Sequence, residues 1–141
     1  MNSAHELLKL IESKQLFPLF QPIIDTAEEH IIGYEALIRG PQGHPLEFPD
    51  ALFSAAQQHD LLSELELACR EAAIREFLQL DTDARLFLNV NPNVLQDSDH
   101  PHGTTLRLSQ QLGIDPRRIV IELSERYPIQ QPELLKEAVP H

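Results

Sequence analysis

Gly33-Tyr34-Glu35-Ala36-Leu37-Ile38-Arg39, with Ile31-Ile32 before it, is a short apolar run broken by two charges. A polar turn precedes it, Thr26 to His30, and a loop from Gly40 to Pro49 carrying two glycines and three prolines follows it. An apolar run of this length between turn signals reads as a strand over Ile31 to Arg39. A buried strand does not carry a carboxylate and a guanidinium without partners. Glu35 and Arg39 therefore mark a site.

On the amino-terminal side, Leu16 to Asp25 is apolar and aromatic, but Pro18 and Pro22 restrict it to an edge or irregular strand. Before that, residues 3 to 14 read as a short amphipathic lead-in helix or lid, with Leu7, Leu8 and Ile11 at helical spacing and a capping box of Ser3 and Glu6. On the carboxyl side, helices are expected over Asp50 to Gln58 and Ser63 to Leu80. In the longer one Leu65, Cys69, Ala72, Ala73, Phe77 and Leu80 form an apolar stripe, with Glu71 and Arg75 paired outside it at i,i+4. A strand at Arg85 to Val90, a helix at Thr104 to Leu112 ended by Gly113 in the C′ position, a strand at Arg118 to Leu123 and a helix from Pro132 through Ala138 complete the series. Apolar strands alternating with helices indicate a parallel α/β fold. A (β/α)8 barrel needs about 250 residues, so about the first half of one is expected.

The chain has 141 residues, 42% of them hydrophobic, enough for one core. Its net charge of -11 and the lack of any Lys/Arg cluster argue against a nucleic-acid polymer or an anionic membrane as partner. An anionic small substrate stays open, because cations held by carboxylates invert the local field. Met1 to Leu16 lacks the apolar core of a signal peptide, and no membrane segment is present. The single cysteine, Cys69, falls on the apolar stripe and cannot form an internal disulfide, which with the foregoing gives a cytoplasmic expectation.

Three strands end in polar side chains: Glu35, then Asn89, then Glu122 with Glu125 just after it. In parallel α/β folds the carboxyl ends of the strands gather at one face, where catalytic residues collect. Two carboxylates and an amide oxygen there form a hard-oxygen site suited to Mg²⁺ or Mn²⁺. The plainer alternative is that such a Glu pairs with a neighbouring Arg or caps the next helix. Arg39 serves either as that partner or as a bidentate grip on phosphate.

Gln21-Pro22-Ile23, Gly33 to Arg39, Leu88-Asn89-Val90-Asn91-Pro92 and Ile121-Glu122-Leu123-Ser124-Glu125, in that order, resemble the amino-terminal motifs of the EAL domain. The resemblance runs from about Phe17 onward and sets a lead-in helix, 1–15, apart from the incomplete domain, 16–141. It implies a TIM-like (β/α)8 barrel whose first strand runs antiparallel to the others. It also implies hydrolysis of the bacterial messenger cyclic di-GMP to pGpG with two divalent cations. Carried over residue by residue, Glu35, Asn89 and Glu122 are the expected catalytic metal ligands. Gln21, Leu37 and Arg39 are expected to contact the dinucleotide, with Pro49 at the ligand wall. Asn91 and Ser124 depart from the usual Ser and Thr, and both stay polar. The family's paired Asp motif and its later Lys and Glu fall beyond His141.

Two further readings stand beside hydrolysis. One is a domain that senses cyclic di-GMP or docks a partner without turning it over. The other is a half-barrel whose last strand, left with an open edge, self-associates. Homo-oligomers and a fused sensory or cyclase domain are also expected partners of such a chain. His100-Pro101-His102 reads as a solvated turn.

Overall fold

The computed structural model describes residues 3–90 and 104–123. Asn91, the His100-Pro101-His102 turn, Ser124, Glu125 and the helix expected from Pro132 lie outside the described residues.

The elements follow in the order α1 (Ser3–Glu12), β1 (Phe17–Asp25), β2 (His30–Arg39), α2 (Pro49–Gln58), α3 (Leu62–Phe77), β3 (Arg85–Val90), α4 (Thr104–Leu112) and β4 (Ile119–Leu123). The strands form one sheet in the order β1-β2-β3-β4. β1 is antiparallel to β2, with Phe17 opposite Arg39 and Gln21 opposite Glu35, and its register shifts between Ile23 and Ile24. β2, β3 and β4 are parallel, so each step between them needs a helical crossover. The hairpin turn is closed by the Asp25 carboxylate, whose Oδ1 accepts from the amides of Ala27 (2.9 Å) and Glu28 (3.3 Å).

All the crossover helices lie on the sheet face that carries Tyr34, Ala36 and Ile38. One core joins Leu7, Leu10, Leu16, Ile38, Leu46, Leu52 and Leu65. The other joins Ala36, Phe77, Leu86, Leu88, Leu108 and Ile114. The alternation of strand residues sends Leu86, Leu88 and Val90 into this layer and Phe87 and Asn89 to the opposite face. Leu7 and Leu10 of α1 are buried in the first core, so the lead-in helix is an integral layer. The Ser3 hydroxyl also lies 2.7 Å from His59 Nε2 at the end of α2.

Several boundaries differ from expectation by one to three residues, and the physical reason is visible at α2, α3 and β4. α2 starts at Pro49, whose missing N–H costs nothing at a helix start. α3 ends at Phe77, because the chain tightens there: Gln79 and Leu80 donate to the carbonyls of Glu76 and Phe77. Leu80 thereby leaves the stripe and is 39% exposed. Arg118 sits in a 3-10 turn, Pro116–Arg118, and β4 begins after it. Gly113 takes the left-handed conformation expected of a C′ residue, at φ 83°, and Arg75 donates to Glu71 on the outer face of α3.

Two charged residues of α3, Glu66 and Arg70, are buried. Arg70 donates to the Thr105 hydroxyl at 2.9 Å and so ties α3 to α4. Burial lowers the Arg70 pKa, and the charges of Glu66 and Cys69 act against that shift.

Candidate functional site

The site is built on the sheet face that no helix of the described residues covers. Strand alternation places Gly33, Glu35, Leu37 and Arg39 together on this side of β2. Antiparallel register adds Gln21 opposite Glu35 and Leu19 opposite Leu37. Parallel register puts Asn89 opposite Glu122. Six of the residues expected from sequence thus share one face, and Pro49 opens α2 beyond the carboxyl end of β2.

Among these, Glu35, Asn89 and Glu122 converge. Asn89 Nδ2 donates to Glu35 Oε1 at 2.7 Å, which leaves the amide Oδ1 as an acceptor. Glu122 Oε1 is buried and has no hydrogen-bond partner. Burial raises the Glu122 pKa, and the neighbouring charge of Glu35 raises it further. Among the described residues neither Glu35 nor Glu122 forms an ion pair with Lys or Arg. Among the described residues the plainer alternative of a strand-end Glu paired with Arg is thus not seen. Two carboxylates near enough to repel, with one buried oxygen unpartnered, suit a hard divalent cation, which would satisfy that oxygen and cancel the repulsion.

Backbone space beneath the site is set by glycine. A Cβ on Gly33 would lie 2.2 Å from Phe87 Cε2 and 2.8 Å from the Arg85 carbonyl. Only Gly lets the Phe87 ring lie against β2, below Glu35, and the close approach of the two strands depends on it.

Arg39 does not reach Glu35. Four residues of strand separate them, about 13 Å at the usual rise. Its Nη1 donates to the Ile38 carbonyl at 2.9 Å, and its guanidinium carbon lies 5.8 Å from the centroid of the Phe48 ring. Sequence reading passed over Phe48; the available signal was an aromatic residue immediately before a helix-opening proline.

An open α/β sheet with helices on one face and a reversed first strand defines the chain as part of a TIM-like barrel. The profile of the EAL domain matches residues 4–140, and the chain belongs to that family. Over 128 residues it is 31% identical to "Probable cyclic di-GMP phosphodiesterase PdeB" of Escherichia coli (strain K12), a match covering 86% of this chain and 24% of PdeB. Its fold matches the Xanthomonas citri FimX EAL domain solved with c-diGMP, at TM-score 0.71 and 19% identity over 87% of this chain and 49% of that one. It also matches Klebsiella pneumoniae BlrP1 in a calcium/cyclic di-GMP complex, at TM-score 0.68 and 25% identity over 88% of this chain and 32% of that one. BlrP1 was likewise solved with manganese. The chain thus spans about a quarter of the length of PdeB.

Proposed function

We propose that this chain supplies the first metal ligands and part of the ligand wall of a cyclic di-GMP phosphodiesterase that yields pGpG. The observation that carries the reading is the convergence of Glu35, Asn89 and Glu122, with a buried Glu122 oxygen left without a partner. Family membership and the cyclic di-GMP named for PdeB, FimX and BlrP1 support the substrate.

Glu35 and Glu122 would hold Mg²⁺ or Mn²⁺ through anionic oxygens, and Asn89 through its neutral one. Bound there, the cation supplies Lewis-acid charge and acidifies a water. Asn89 keeps the Glu35 carboxylate aimed across the strands. Arg39, with no carboxylate of its own, is placed to take the charge of a phosphate. Gln21 and Leu37 flank the path between them, and Pro49 fixes where α2 begins. The remaining ligands, any fused sensory or cyclase domain, self-association and a cytoplasmic setting belong to the same proposal. No helix among the described residues is long and apolar enough to cross a membrane.

The test is chromatography of cyclic di-GMP incubated with the full-length protein and Mn²⁺ or Mg²⁺, with and without chelator. Metal-dependent appearance of pGpG is expected. Binding without turnover would assign a sensing domain instead, and absence of binding would refute the reading.

A further inference from the structure

Phe48 is 59% exposed, the most exposed large apolar side chain among the described residues. A single exposed aromatic is ordinary on a protein surface. This one differs in its mounting and its neighbour. The loop that carries it, 40–48, is fixed at several points. Gly40 donates to the Glu47 carbonyl at 2.7 Å, and Glu47 donates back to His44 at 3.0 Å. The Gly43 amide donates to Glu47 Oε1 at 3.1 Å and the Leu46 amide to His44 Nδ1 at 2.9 Å. That last bond leaves the His44 proton on Nε2, which faces Glu6 Oε2 of α1 at 3.4 Å. Leu46 is anchored in the core, and a Cβ on Gly40 would lie 2.3 Å from its carbonyl oxygen. Phe48 is therefore held out to solvent by a braced loop, with no slack to let it fold inward.

Its neighbour is the guanidinium of Arg39, 5.8 Å from the ring centroid, near the outer limit of a cation–π contact. Among the described residues Arg39 makes one hydrogen bond, to a backbone carbonyl, and no ion pair. It lies on the same face of β2 as Glu35 and Leu37. The structure thus presents, at the border of the candidate site, an exposed aromatic ring with a guanidinium over one face that has no carboxylate partner among the described residues. Planar heterocycles stack on such a pair, and phosphates accept from its donors.

We infer that Phe48 is a base-stacking residue of this site, receiving a purine ring of the nucleotide ligand beside Arg39. The inference rests on the cyclic di-GMP reading and deepens it, by assigning the base a seat that none of the expected contact residues provides. A braced ring loses little freedom on binding, so the stacking contributes to affinity.

These 141 residues contain no tryptophan, so Phe48→Trp adds an indole reporter at the seat. The experiment titrates the full-length wild type, Phe48→Ala and Phe48→Trp with cyclic di-GMP, by calorimetry for all three and by the indole emission that Phe48→Trp adds over wild type for the last. Phe48→Ala is expected to weaken binding about tenfold or more, the usual loss for one stacked base. Phe48→Trp is expected to hold affinity near wild type and to show its emission quenched on saturation. Wild-type affinity in Phe48→Ala, or unaltered emission in saturated Phe48→Trp, overturns the inference and leaves the cyclic di-GMP reading standing. Failure of the full-length wild type to bind cyclic di-GMP overturns both.

Discussion

Asn89 Nδ2 donates to Glu35 Oε1 at 2.7 Å, joining side chains that lie 54 positions apart in the chain and on adjacent parallel strands. The bond aims one carboxylate toward the other, and Glu122 carries a raised pKa because burial and the charge of Glu35 both oppose its ionisation. In the full-length protein, Glu35→Ala is expected to abolish pGpG formation and Mn²⁺ binding at this site. Asn89→Ala, which removes both the aiming bond and the neutral oxygen, is expected to weaken Mn²⁺ by about 10- to 100-fold. Manganese titration followed by electron paramagnetic resonance, with circular dichroism to verify folding, checks both. Undiminished turnover in Glu35→Ala would sink the assignment.

Arg39 has no carboxylate partner among the described residues, so its loss removes ligand contacts without leaving an unpaired charge behind. Arg39→Ala is expected to weaken cyclic di-GMP binding by about tenfold or more, the scale of a charge-assisted hydrogen bond. Arg39→Lys is expected to recover only part of it, since a point charge does not reproduce the planar fork. Equal affinities of the wild type and Arg39→Ala by calorimetry would remove Arg39 from the ligand wall.

Gly33→Ala places a methyl 2.2 Å from the Phe87 ring and 2.8 Å from the Arg85 carbonyl. A destabilisation of about 1–3 kcal/mol is expected, measured by urea unfolding, as for other insertions into filled space. Adding Phe87→Ala relieves the ring clash but not the backbone one, so no more than partial recovery is expected. A stability for Gly33→Ala equal to wild type would show that β2 and β3 do not close up as described.

Phe77 is fully buried, touched by Phe20 and Tyr34 at ring-centroid distances of 6.0 and 6.5 Å, and covered by the Arg118 guanidinium at 5.0 Å. Arg118 also donates to the carbonyls of Thr82 (2.7 Å) and Ala84 (3.1 Å), fastening the start of β4 to the segment before β3. Phe77→Ala is expected to cost about 3–5 kcal/mol in denaturant unfolding. A loss below about 1 kcal/mol would contradict the central place given to this ring.

Burial pushes the Cys69 thiol well above its ordinary range, reinforced by the charge of Glu66 and opposed by that of Arg70. A group whose folded pKa is raised contributes stability in full below its unfolded pKa, about 8.5 for a thiol. That contribution is lost as pH rises through the folded value. Wild type is therefore expected to lose more stability than Cys69→Ala between about pH 7.5 and pH 9.5, with the unfolded thiol titrating inside that window. Thiol-reagent labelling is expected to be slow until denaturant is added. Parallel pH profiles for the two proteins would refute the assignment of this loss to Cys69.

The alternating pattern of strands and helices, the reversed first strand implied by the motifs, the C′ glycine at Gly113 and the residues gathered at the strand ends were legible in the chain. Each is written in local signals: strand-length apolar runs, turn residues, and a carboxylate where a buried strand tolerates none without a partner. Strict alternation along β2 puts Glu35, Leu37 and Arg39 on one face, and the antiparallel register with β1, which only the structure supplies, adds Gln21. Other features depend on what stands opposite, which no local pattern records. Glu66 and Arg70 are buried although charged, because the fold packs other elements on that part of α3 and Thr105 of α4 receives the Arg70 guanidinium. Leu80 reads as core and is exposed, because the last turn tightens at Phe77. The need for glycine at position 33 appears only once the Phe87 ring is seen against it. Glu35 and Glu122 were recognisable one by one as misplaced charges; that burial first, and the nearby charge of Glu35 second, raise the Glu122 pKa is a consequence of how the strands pack, which no local pattern records.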